Sequence, residues 1–134
     1  MYEILRVRNT IVLVVFAVMA LGGVALRAAD SMGSDSMGNK GQQAFAQCAA
    51  CHSTDGTNGV GPTLKGVVGR RSGSVPGFAY SNAMKHAGLT WTTANLDKYI
   101  ASPQTVVPGN VMPYAGMNDA SERAALVAYL STLK

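Results

Sequence analysis

Apolar positions along the chain fall into two regimes. Ile11 to Leu26 is an unbroken run of apolar and small residues, preceded by Arg6 and Arg8 and closed by Arg27. As a helix it would be about 24 Å long at 1.5 Å per residue, against a hydrocarbon core of about 30 Å. Residues 1–29 therefore read as a secretory signal peptide or a signal anchor, to be set apart from the fold. Gly23-Val24-Ala25 offers small residues for cleavage, but Leu26 and Arg27 crowd it. That favours an uncleaved anchor. In either case Arg6 and Arg8 keep the N-terminus in the cytoplasm, and the chain after Arg27 goes outward. Residues 30–38, DSMGSDSMG, repeat a small polar unit and read as a flexible linker.

Beyond the linker the apolar period becomes helical. Asn39 is a candidate cap for a helix through Gln42, Phe45 and Gln47 to about Ala49. Ser81 opens a short helix ending near Gly88. Thr92 or Thr93 caps another that carries Leu96, Tyr99 and Ile100 and stops at Pro103. The clearest helix is the last. Asp119 and Glu122 make a capping-box pattern ahead of the stripe Leu126, Tyr129, Leu130 and Leu133. No period-2 strand is visible, so the domain, 39–134, is predicted to be all-α with long loops. Gly56 to Phe78 contains seven glycines and two prolines. Such a segment has little to pack on itself, and it predicts that loops wrap something other than each other.

Charge adds little. From Asn39 onwards there are eight Lys and Arg residues and four Asp and Glu residues, scattered rather than clustered. That charge is too small and too scattered to argue for nucleic acid, and it is compatible with an acidic protein partner.

The candidate chemistry lies in Cys48-Ala49-Ala50-Cys51-His52, which holds the only two cysteines of the chain. Two cysteines three apart can present both sulfurs to one edge of a flat ring, with the following histidine aimed at its centre. This is the attachment pattern of c-type haem, with thioether bonds from Cys48 and Cys51 and His52 as an iron ligand. A thioredoxin-like pair would need a βαβ context. A zinc site needs four ligands, and only His86 would be left to add. One covalent haem c in the domain's centre also gives the glycine-rich loops something to enclose.

The chain resembles class I c-type cytochromes, specifically mitochondrial cytochrome c and its bacterial relatives. The landmarks are Gly41 and Phe45, the CAACH motif, Gly61-Pro62-x-Leu64-x-Gly66-x-x-Gly69-Arg70, Gly73 and Pro76-Gly77-Phe78-x-Tyr80-Ser81. They continue through Trp91, Tyr99, Pro103, Pro108-Gly109-x-x-Met112 and Leu126-x-x-Tyr129-Leu130. The resemblance implies a class I cytochrome c fold and an electron carrier rather than an enzyme. It implies Met112 as the sixth iron ligand, with Met117 its only rival and Met84 core filler. It also implies that the Pro62 carbonyl orients His52, that Arg70, Tyr80, Ser81 and Trp91 engage the haem propionates, and that the Tyr99 hydroxyl reaches the methionine sulfur. Gly41 and Phe45 are implied to cross closely against Leu126 and Tyr129.

Where mitochondrial cytochrome c carries lysines around the haem edge, this chain has Gln47, Gln104, Thr105, Val111, Asn118 and Asp119. Long-range steering of acidic partners is therefore predicted to be weak. The implied partners are a quinol–cytochrome c reductase and a terminal oxidase or other reductase, in the bacterial periplasm, with a membrane tether if the N-terminal segment stays.

Overall fold

A computed structural model describes residues 36–134. The signal or anchor segment and residues 30–35 of the linker lie outside the described residues. Helix α1 covers residues 36–49, α2 Asn82–His86, α3 Thr93–Ala101, α4 Pro103–Val106 and α5 Ala120–Leu130. Among the described residues there is no strand, only an isolated antiparallel bridge between Arg71 and Thr90. The all-α expectation holds.

Helix starts follow side-chain acceptors. The Ser81 hydroxyl accepts from the Met84 N–H and the Thr92 hydroxyl from the Asn95 N–H. The Asp119 carboxylate accepts from the N–H groups of Ser121 and Glu122, at 2.8 and 2.9 Å. Each satisfies donors that a helix's first turn leaves without intrahelical partners. Pro103 not only ends α3 but stands at the first position of α4, where its missing N–H costs nothing.

Two expectations need correction, and one gains a detail. Asn39 is not a cap, because α1 already includes residues 36–38, which the linker reading had claimed. Nothing between Ser36 and Asn39 interrupts the i→i−4 ladder: there is no proline, and Gly38 only lowers propensity by about 1 kcal/mol. The capping box is half made, since the Glu122 carboxylate turns to the Gln47 side chain of α1, at 3.4 Å. Met84, predicted to be core filler, lines the central cavity as well as the core.

Helices α1 and α5 cross at a glycine. A Cβ on Gly41 would collide with the Ala125 carbonyl oxygen and lie 2.7 Å from the Tyr129 Cβ. The Phe45 and Tyr129 rings pack beside this crossing with centroids 5.3 Å apart. Ala125 and Leu126, on the inner face of α5, are buried completely enough for Leu126 alone to contribute about 1.5–3 kcal/mol. Arg123 ties α5 to α3 through Asp97 at 2.9 Å and to the preceding loop through the carbonyls of Met117 and Asn118. Leu96, Tyr99, Leu126 and Leu130 belong to the core these helices build and also line a cavity of about 400 Å³.

Candidate cofactor site

The end of α1 delivers His52 to the cavity. The Cys48 carbonyl accepts from the N–H groups of both Cys51 and His52, at 3.1 and 2.9 Å, so the chain turns once after the helix. Cys48 and Cys51 are half-buried on the cavity wall and are not joined in a disulfide. Before it is bonded to haem, burial, and secondarily the neighbouring Cys51, pushes the Cys48 thiol up from its ordinary value.

The loop after the motif folds back on it. The Gly61 N–H donates to the Cys51 carbonyl at 2.8 Å, and His52 Nδ1 lies 2.7 Å from the Pro62 carbonyl oxygen. A carbonyl only accepts, so Nδ1 carries the proton and Nε2 keeps its lone pair for a metal. The ring lies flush against backbone: a Cβ on Gly61 would come within 2.5 Å of His52 Cε1 and 2.7 Å of Nδ1. No other residue fits there. A second hydrogen-bond layer, with Ser53 Oγ donating to Thr63 Oγ1 at 3.0 Å and the Thr63 N–H donating to Asn58 Oδ1 at 3.1 Å, holds this loop in place.

A paired stretch of backbone brings Arg70 and Trp91 together. The Trp91 N–H donates to the Arg70 carbonyl at 2.8 Å, and the Gly69 N–H to the Trp91 carbonyl at 3.0 Å. The Arg70 guanidinium donates to the carbonyls of Lys65 and Thr63, at 2.9 and 2.8 Å. That uses two of its five N–H donors and leaves the rest for an anion. Burial lowers the Arg70 pKa and raises that of Tyr80, and each partly offsets the other. A bound carboxylate would relieve the desolvation of Arg70. Ser81 spends its acceptor on the α2 cap and keeps its O–H to donate. Trp91 is buried with its ring centroid 4.9 Å from that of Tyr99. Burial pushes the Tyr99 hydroxyl up to about 12, so it remains a donor.

All ten residues predicted for the site line this one cavity, Met112 included. Met117, the rival thioether, is only 4% exposed and does not reach it. The sequence reading missed Asn110, a buried polar residue on the same wall. Its signal, a polar residue two positions before Met112, is too slight to stand out among the loop's other polar residues.

The donor set and the space fit a haem. Two cysteine sulfurs not tied up in a disulfide sit about one helical turn apart, an imidazole has Nε2 to offer a metal, and a thioether shares the cavity. The wall between them is almost wholly apolar, within the usual size range of cofactor sites. A cluster of three or more His, Cys, Asp or Glu residues able to hold a bare metal ion is absent among the described residues.

The comparisons agree. The Cytochrome c family profile matches residues 38–134. Cytochrome c2 of Rhodomicrobium vannielii is 50% identical over 95 residues, covering 69% of this chain and 76% of the relative. Cytochrome c of Trypanosoma brucei brucei is 52% identical over 79 residues, covering 59% and 85%. Cytochrome cH from Methylobacterium extorquens superposes with a TM-score of 0.68 at 46% identity, covering 70% of this chain and 96% of that structure. The chain thus belongs to the cytochrome c family, as a mono-haem electron carrier and not an enzyme, with covalent haem c at Cys48 and Cys51 and redox proteins as its partners.

Proposed function

We propose that this carrier shuttles single electrons in the bacterial periplasm between a quinol–cytochrome c reductase and a terminal oxidase or other reductase. In this reading His52 and Met112 would hold the haem iron. The haem, when bound, supplies a one-electron ferric/ferrous couple. The protein's part is to hold the ligand set unchanged in both states. His52 is fixed by Pro62, and Met112 gives a soft thioether that favours the ferrous form. The apolar wall disfavours the extra positive charge of the ferric form. Arg70, Tyr80, Ser81 and Trp91 supply donors for the propionates, and Tyr99 supplies one for the Met112 sulfur. Cys48 and Cys51 keep the group in place through every turnover.

The observation that carries this reading is the 2.7 Å contact from His52 Nδ1 to the Pro62 carbonyl within a cavity that Met112 also lines. The same cavity with no firm sixth ligand would suit a gas sensor or peroxidase-like protein. Carbon monoxide added to the reduced protein separates the two. Carriage by His52 and Met112 predicts no binding on the mixing timescale, and rapid binding would show an open iron position.

The site of action rests on the N-terminal segment. Its apolar run, its flanking arginines and its poor cleavage site support an exported domain, 39–134, tethered to the inner membrane by residues 1–29. A tether would keep the domain at high effective concentration near membrane-bound partners.

A further inference from the structure

The residues on either side of Met112, Val111 and Pro113, are both exposed. Both also line the cavity, and neither is packed into the protein core. A buried amide ties the Met112 backbone. Asn110 is only 6% exposed. Its Nδ2 donates to the carbonyls of Pro103 and Val107, at 3.0 and 2.9 Å, and its Oδ1 accepts from the Met112 N–H at 3.0 Å. Both amide hydrogens and the amide oxygen are thereby used. The two carbonyls belong to the one-turn helix α4 and its C-cap, where each also accepts a backbone N–H, that of Val107 on Pro103 and that of Asn110 on Val107.

Gln104 braces the same turn from outside. Its Nε2 donates to the Asn110 carbonyl at 2.9 Å, and its Oε1 accepts from the Gly109 N–H at 3.3 Å. On the far side, the Tyr114 N–H donates to the Met112 carbonyl at 2.9 Å. Both backbone groups of Met112 are thus tied within its own loop.

We infer that Asn110, braced by Gln104, is the positioning residue that keeps Met112 on the iron; this rests on the Met112 ligation proposed above. Replacing Met112 by another ligand requires the turn to open and these hydrogen bonds to break. The apparent affinity of an outside ligand scales with the fraction of molecules in the open form. Weakening the turn should therefore tighten binding of a small competitor in proportion.

The test is imidazole titration of the ferric holoprotein, followed by loss of the Fe–S charge-transfer band, well below the unfolding transition. Asn110→Leu, of similar volume without the polar atoms, should bind imidazole roughly tenfold more tightly than wild type. Gln104→Ala, at an exposed position that leaves the core untouched, should tighten it about threefold. It gives the answer even if Asn110→Leu fails to mature. Gly41→Ala, whose added methyl would meet Ala125 and Tyr129 and no residue of the turn, should keep wild-type imidazole affinity. Wild-type affinity in Gln104→Ala, or in a folded Asn110→Leu, would overturn the inference, as would equal tightening in Gly41→Ala. If wild-type ferrous protein takes up carbon monoxide rapidly, the ligation reading itself fails. Slow uptake with unchanged imidazole affinities isolates the failure to Asn110.

Discussion

Gly61 has no room for a methyl group, because the His52 ring occupies the place where a Cβ would stand. Gly61→Ala must push the ring from its hydrogen bond with Pro62 or shift the loop. We expect the holoprotein to lose about 1–3 kcal/mol in denaturant unfolding, and an unchanged midpoint would contradict the packing described. At this scale the sequence was most legible where chemistry is rare. Two cysteines, a histidine and a methionine after Pro108-Gly109 have few uses together, so their shared cavity was foreseeable. Asn110 was not, because its importance arises from burial and from three partners spread over Pro103 to Met112.

Among the helices, α5 depends on a carboxylate that is fully exposed and still specific. Asp119 accepts from the backbone of Ser121 and Glu122 and from the Ser121 hydroxyl. Those bonds, the Ser121 hydroxyl foremost, hold it below 3.8, the ordinary aspartate value. Its contribution is thus complete above the unfolded-state pKa and is lost as pH falls through the lower folded-state value. Asp119→Ala should lower the urea midpoint at pH 7, and the gap from wild type should close on acidification below 3.8. A gap that stays constant to the acid limit would argue against the cap. Starts set by a single acceptor, at Ser81, Thr92 and Asp119, were readable from the sequence. The start of α1 was not: an available cap at Asn39 does not compel a helix to begin there. Glu122 likewise had two possible partners, and the choice of Gln47 depends on how α1 crosses α5.

For the whole molecule, the distribution of charge decides how it meets partners. Val60 and Val111 line the cavity and stand 77% and 75% exposed, so its mouth is partly apolar. Between Lys98 and Arg123 there is no Lys, Arg or His. With so little positive charge near the mouth, encounter gains little from long-range attraction. Electron-transfer rates with a physiological partner should change by less than about threefold between low and physiological salt, where a Debye length shrinks to about 8 Å. A drop of tenfold or more over that range would show that basic residues elsewhere steer the complex.

Ligation of the iron by the Met112 sulfur is tested most directly by the ferric absorption spectrum of Met112→Ala. The prediction is that the Fe–S charge-transfer band is present in wild type and in Met117→Ala but absent in Met112→Ala. A band that survives in Met112→Ala, or disappears in Met117→Ala, would contradict it.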